Sequence, residues 1–229
     1  MKRFTAFFIL IILAELIAIY NQFLYPWLEF ISKPLIVLSL IYFMLRSTKG
    51  INLPFKKWII VALVFSWFGD VLLMFSDSLA PFFLYGLVAF LISHLFYILA
   101  FTKPSHKALI IPLYKRHPWT LLIPFGYAFY VYAELKGDLG DMSIPVLIYV
   151  VVISTMLAVA MNRYGKVSAP SYVWILIGAV LFVASDSILA INKFHHSIEY
   201  SRYLIMLTYM LAQYSIVRGA YYQIKEKSA

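Results

Sequence analysis

Phe65-Ser66-Trp67-Phe68-Gly69-Asp70-Val71-Leu72-Leu73-Met74 places a carboxylate inside an apolar run, Trp58 to Phe75, that is long enough to cross a bilayer as a helix. An ionisable side chain at such depth is costly in hydrocarbon, so it faces a protein interior and marks a functional position. Ala184-Ser185-Asp186-Ser187-Ile188-Leu189 repeats the pattern late in the chain. Both stretches read small residue, Asp, any residue, Leu or Ile, then Leu. Asp70 and Asp186 are therefore the candidate centre of the molecule.

The rest of the composition agrees with a membrane setting. Of the 229 residues, 63% are hydrophobic and only 13% charged, about half the charged share of a soluble domain. The sequence predicts an all-α integral membrane protein, residues 1–229 forming a single transmembrane domain. No cysteine is present, which removes disulfides and thiolate metal sites. The net charge of +9 lies in short connections between apolar segments, so it points to membrane topology rather than nucleic acid. Met1-Lys2-Arg3 opens the chain like a signal peptide. No small-x-small site follows before Tyr20-Asn21-Gln22, however, so this run is expected to be a retained first helix.

A span needs about 20 helical residues. Eight segments qualify: Phe4–Tyr20, Trp27–Leu45, Trp58–Phe75, Pro81–Phe101, Trp119–Leu135, Ile144–Met161, Tyr172–Ile191 and Tyr203–Tyr221. Their short connections suit a bundle of eight transmembrane helices with antiparallel neighbours. Alternating the connections puts Lys33, Lys136, Lys193 and Arg202 on one side and the other 15 of the 19 Lys and Arg residues on the opposite side. That bias makes both termini cytoplasmic. Trp58, Trp119 and Trp174 then fall at inner ends, and Tyr25, Trp27, Tyr85 and Tyr132 at outer ends, as interface belts do. A weak 4+4 internal repeat is also visible: Asp70 and Asp186 lie half a chain apart, as do Ala14-Glu15-Leu16 and Ala133-Glu134-Leu135. The short loops point to the cytoplasmic (inner) membrane of a bacterium.

Depth groups the polar residues. Glu15 precedes the outer end of its helix by about six residues, or ~9 Å at the helical rise, and Asp70, Asp186 and Lys33 reach a similar level. Glu29 lies one turn before Lys33 on the same face, and Pro34 interrupts that helix beside it. His94 lies deeper on the fourth segment; Tyr149 and Asn162 lie on the sixth, and Tyr209 and Gln213 share a face of the eighth. A buried structural pair is the plain alternative for the two Asp residues, with Ser66, Ser185 or a Lys as partners. His94 alone reads as an interhelical hydrogen-bonder or a proton relay, and His195-His196 as part of a hydrated loop.

Two carboxyl groups in one apolar cavity need not both ionise; one proton donor beside one anion is the arrangement used for acid-assisted cleavage at an acetal-type carbon. Gly69 leaves room beside Asp70, and Ser185 offers Asp186 a hydroxyl, which tilts the acid role to Asp70 without deciding it. There is no Gly-x-Ser-x-Gly elbow, Walker loop or His-Glu-x-x-His. A metal site built from His94 with Asp70 and Asp186 is an alternative that no local ligand spacing supports, so no cofactor and no metal are expected.

The chain resembles the YhhN-like membrane proteins, whose animal members are lysoplasmalogenases (alkenylglycerophospholipid hydrolases). The resemblance rests on Lys33-Pro34-Leu35; on Phe65 through Leu73; on Gly86 to Phe90 and His94 to Tyr97; on Tyr149, Met156 and Ala160; on Gly178 through Asp186; and on Tyr209 with Ala212-Gln213-Tyr214. It implies hydrolysis of the vinyl-ether bond of a lysoplasmalogen, or a related lysolipid, to a fatty aldehyde and a glycerophospho-base. Beside it, the residues suggest Asp70 and Asp186 as catalytic groups, Lys33 as the cation for the substrate phosphate, and Glu15, His94, Tyr149, Tyr209 and Gln213 as binding or supporting groups. The expected partners are a lysophospholipid and the bilayer. Two other classes use buried carboxylates: a small proton-coupled transporter, and a non-catalytic lipid-binding membrane protein. Aldehyde release by the purified protein separates the hydrolase from both.

Overall fold

Each of the eight apolar segments is helical, because in hydrocarbon a helix satisfies its own backbone polar groups. The computed structural model describes residues 1–76, 78–79, 81–104 and 111–228, without the side chain of Lys2; Lys107 of the charge count lies outside them. The elements are α1 (Lys2–Tyr20), α2 (Trp27–Ser47), α3 (Pro54–Leu73), α4 (Pro81–Phe101), α5 (Leu113–Arg116), α6 (Leu122–Leu135), α7 (Ser143–Met161), α8 (Ala169–Phe194) and α9 (Ser201–Ser228). Short 3₁₀ turns at Pro118–Leu121 and Gly140–Met142 precede α6 and α7. No strand occurs among the described residues.

Proline sets several helix starts. Pro54 and Pro170 occupy the first turns of α3 and α8, where a missing N–H costs nothing. The third segment therefore begins four residues before Trp58 and takes in Lys56, whose Nζ turns back to the Thr48 and Ile51 carbonyls. The fifth segment differs more: Trp119 belongs to the 3₁₀ turn, and α6 keeps only 14 residues.

α1, α2, α4, α7 and α8 are long and apolar enough to cross a membrane. α6 spans about 21 Å at the helical rise, short of a ~30 Å hydrocarbon core. α3 carries Lys56, Lys57 and Asp70, and α9 carries Tyr209, Gln213 and Arg218 within its length. Large apolar side chains cover the outside, among them Leu10, Tyr42, Leu122, Phe129 and Ile144. Water does not tolerate so much exposed apolar surface; lipid does. The protein is an all-helical integral membrane protein.

Apolar area alone does not hold such helices together, since lipid is as apolar as leucine; close approach at small residues does. The two most extensive packings are α3 on α4 and α8 on α9. A Cβ on Gly69 would sit 2.6 Å from the Phe90 ring, and one on Gly86 2.6 Å from Leu73. In α8 and α9 the close neighbours include backbone: a Cβ on Gly178 would lie 2.8 Å from the Ala212 carbonyl oxygen, and one on Gly219 2.9 Å from the Ile175 nitrogen. Ser93 donates to the Ala62 carbonyl at 2.8 Å in the first pair, and Ser185 to the Ile205 carbonyl at 3.0 Å in the second. These are the two pairs that a half-chain repeat would equate.

The remaining helices close around them. α4 also packs on α7, α2 on α3 and α9, and α6 on α7 and α8, whereas α4 and α6 share no substantial contact among the described residues. α6 is tied in by a small separate cluster of Val131, Leu135, Leu139 and Val146. At the end of the bundle opposite Asp70 and Asp186, buried Arg163 donates to the Phe101 carbonyl, Ser171 and Gln223 and sits between the Phe55 and Phe101 rings. This cation at the C-terminus of α4 complements the helix dipole and fastens four elements there.

Candidate active site

The site forms where α2 begins, α3 and α8 end and α9 starts. A cavity of about 380 Å³ opens among these helices, its wall including Glu29, Lys33, Asp70, Asp186, Lys193, Arg202 and Tyr209. Both carboxylates singled out in the sequence thus face one space, from helices that pack against different partners. Pro34 has no N–H for the Phe30 carbonyl one turn back, and Phe30 belongs to the same wall.

Asp70 is 2% exposed and accepts a 2.7 Å hydrogen bond from the Tyr209 hydroxyl. Behind Tyr209, Gln213 donates to that hydroxyl at 3.3 Å and accepts from Tyr97 at 2.6 Å. The chain Tyr97–Gln213–Tyr209–Asp70 therefore fixes the direction in which the phenol points. Gln213 is fully buried and supports the site through Tyr209.

Asp186 is held differently. The Tyr149 hydroxyl donates to it at 2.5 Å, and His94 Nε2 lies 3.0 Å from that hydroxyl and 3.3 Å from the same carboxylate oxygen. Since the phenol gives its proton to Asp186, its oxygen accepts from His94, which makes Nε2 the protonated ring nitrogen. Nδ1 is buried without a hydrogen-bond partner among the described residues. The ring packs edge-on against Phe182 at 4.6 Å, and Phe182 meets Tyr209 at 5.5 Å. An aromatic floor thereby joins the Asp70 and Asp186 networks.

Two expectations about the flanking small residues are corrected. Gly69 does not leave open space beside Asp70, because the Phe90 ring fills it. Ser185 does not bond Asp186, because its hydroxyl is spent on the Ile205 carbonyl across the α8–α9 contact. Ser66, a candidate partner of Asp70, bonds Ser93 at 2.7 Å instead. Their job is helix packing.

Lys33 lies on the cavity wall 3.7 Å from Glu29, and Glu29 also takes Arg202 at 2.5 Å. Arg202 and Lys193 are the residues that sequence reasoning passed over. The signal was present: three of the four cations assigned to the sparsely charged side line this one cavity, and Lys136 alone lies elsewhere. Glu15, expected at the depth of the site, does not line the cavity; it is fully buried, accepts from Ser32 at 2.5 Å, and its Oε1 has no hydrogen-bond partner among the described residues. Asn162 caps the start of α5 through the Leu113 N–H, away from the site. His195 pairs with Asp138 at 2.6 Å, tying the end of α8 to the α6–α7 connection. Among the described residues, no three His, Cys, Asp or Glu side chains converge as a metal-ligand set.

The arrangement offers two carboxyl groups and three cations on the wall of one cavity, with apolar side chains such as Phe83, Phe90 and Met206 between them. Comparisons with known proteins bear on the chain as a whole. The model of the YhhN family matches residues 28–220, which include every residue of the cavity wall. Human lysoplasmalogenase TMEM86A is 32% identical over 204 residues, covering 85% of this chain and 78% of its own length. The bovine protein of the same name is 34% identical over 202 residues with the same coverage. A Mycobacterium bovis lysoplasmalogenase is 29% identical over 170 residues, covering 73% of this chain and 61% of its own. No solved structure matches the chain.

Proposed function

The chain belongs to the YhhN family, and from that premise we propose that it is a lysoplasmalogenase, hydrolysing the vinyl-ether bond of a lysoplasmalogen or related alkenyl lysolipid to a fatty aldehyde and a glycerophospho-base. One observation carries the reading: Asp70 and Asp186, from separate helices, line a single cavity together with Lys33, Lys193 and Arg202. The relatives named above carry the same activity in their names.

Asp70 is assigned as the acid and Asp186 as the anion. Asp186 has the hydrogen-bonding support of a phenol and, through it and directly, an imidazole. Asp70 is almost wholly out of water with Tyr209 as its donor, the environment in which a neutral carboxylic acid costs less than an anion. The Asp70 carboxyl donates its proton to the alkenyl carbon next but one to the ether oxygen, leaving an oxocarbenium ion stabilised by the nearby Asp186 carboxylate. Water adds to the cationic carbon and gives a proton to Asp186, forming a hemiacetal. Collapse returns the two protons: Asp186 protonates the departing glyceryl oxygen, and the hemiacetal hydroxyl restores Asp70. One water is consumed and both residues end as they began. Lys33, with Arg202 and Lys193 beside it, binds the phosphate.

In this account all eight long helices cross the bilayer of a bacterial cytoplasmic membrane with both termini inside, and the cavity opens to the outer face. The charge bias and the short connections support this placement. The test is hydrolysis in deuterated buffer by the purified protein in detergent. Protonation at carbon puts one deuterium on the carbon beside the aldehyde. Failure to release aldehyde refutes the function, and aldehyde without that deuterium refutes the mechanism.

A further inference from the structure

Asp186 borders two spaces. Besides the polar cavity it lies on the wall of a narrower, mainly apolar slot of about 60 Å³ enclosed by α4, α6, α7 and α8. Leu87 of α4, Val131 and Leu135 of α6, Val146 and Ile153 of α7 and Val183 of α8 supply its sides. Of its polar side chains, Ser187 turns its hydroxyl back to the Val183 carbonyl, which leaves the Tyr149–Asp186 pair as the polar point of the wall. Phe83, Phe90 and Leu189 line both spaces, so slot and cavity adjoin, and they meet at Asp186.

The slot has the shape of a chain site. It follows the helices for about 10 Å along α7, from Val146 to Ile153, at the helical rise. Its enclosed volume equals that of about two water molecules, too little for a whole fatty chain. One side is the gap between α4 and α6, consecutive long helices that share no substantial contact among the described residues. Both helices turn large apolar residues outward, Val88 and Phe129 among them. A hydrocarbon chain held at Asp186 thus has a route to the bilayer without leaving apolar surroundings.

We infer that this slot takes the first carbons of a single hydrocarbon tail, which leaves sideways between α4 and α6 into the membrane while the head group occupies the polar cavity. The inference rests on reading Asp186 as part of the hydrolase site. The vinyl ether then lies at the junction of slot and cavity, against Asp186. Most of the tail stays in lipid, so the protein selects for one unbranched chain without measuring its length.

The chain contains no cysteine, so Val131→Cys, Leu87→Cys and Ile148→Cys each carry a sole thiol. Val131 and Leu87 line the slot; Ile148 faces outward on α7 at a similar level. Alkylation by N-ethylmaleimide is timed alone, with a non-cleavable 1-O-alkyl lysophosphatidylethanolamine, and with tail-less glycerophosphoethanolamine. At ten times its dissociation constant the alkyl lipid should slow labelling at Val131→Cys or Leu87→Cys roughly tenfold, since the free protein alone reacts. The tail-less compound should have no effect at either position, nor the alkyl lipid at Ile148→Cys. Unchanged labelling in the slot, protection by the tail-less compound, or equal protection at Ile148→Cys overturns the inference; should Val131→Cys not fold, Leu87→Cys gives the same reading. Aldehyde release by the wild-type protein is measured in parallel. Release without slot protection sinks the tail site alone, and protection without release sinks the hydrolase reading alone.

Discussion

Replacing Lys33 by Met tests the phosphate site with little collateral change. Lys33 is bonded within the protein to Glu29 at 3.7 Å, while Glu29 keeps the closer Arg202 at 2.5 Å. Losing the ammonium therefore leaves Glu29 paired with Arg202, which avoids the cost of several kcal/mol that follows when one partner of a buried pair is removed. Met preserves most of the stem's apolar contact with the wall. What remains is one charge-assisted contact with substrate phosphate, worth about 1.5–3 kcal/mol, or roughly 10- to 100-fold in binding at 1.4 kcal/mol per decade. Partial exposure and the neighbouring Arg202 and Lys193 favour the lower end. In detergent, with aldehyde release as the readout, KM for a lysoplasmalogen should rise about tenfold with kcat nearly unchanged, the signature of lost uniform binding. A 1-alkenylglycerol lacking phosphate should show no change. Equal loss on both substrates would refute the phosphate role and place Lys33 in the support of a carboxylate.

Tyr149→Phe removes the phenol between His94 and Asp186; kcat should fall roughly tenfold, for a hydrogen bond to a charged group, with KM little changed, and steady-state rates at saturating substrate check it. Gly178→Ala forces a Cβ against the Ala212 carbonyl and the Ile216 nitrogen, backbone that cannot rotate away. It should destabilise by about 1–3 kcal/mol and lower Tm by about 2–4 °C per kcal/mol, whereas the atoms nearest a Cβ on Gly69 belong to the Phe90 side chain rather than to backbone, so Gly69→Ala should cost less. For topology, single cysteines at Gly137 and Ser228 should react with an impermeant maleimide from opposite faces of sealed vesicles; labelling from one face would overturn the orientation.

Position along each helix was legible in the sequence because it follows from residue count alone. The rise of a helix is fixed, and Pro81 and the polar Thr102-Lys103-Pro104 mark both ends of α4 where the apolar run ends. Asp70, Asp186 and Lys33, expected at one level, line one cavity. Rotation about the helix axis was not legible. A helix facing lipid is apolar on every side, so the periodicity that marks the inner face of a soluble helix is missing. Glu15, expected at the same level, accordingly does not line the cavity and bonds Ser32. Ser185 and Gly69 were misread for the same reason. Their small side chains are used by α9 and α4, neighbours that chain order and depth do not reveal. Arg202 and Lys193 were hidden in a loop count, although cations on the poorly charged side are the ones that need a reason.

The central claim is that Asp70 and Asp186 act as one unit on one bond. Aldehyde release from lysoplasmalogen by Asp70→Asn, Asp186→Asn and the double variant tests it most directly, with elution in detergent confirming that each is folded. Asn keeps the shape of each side chain and removes its ionisation. Each single variant should lose nearly all activity, and the double variant should be little worse than either, since groups acting together are strongly non-additive. Near-normal turnover by either single variant, or losses that multiply in the double, would contradict the account.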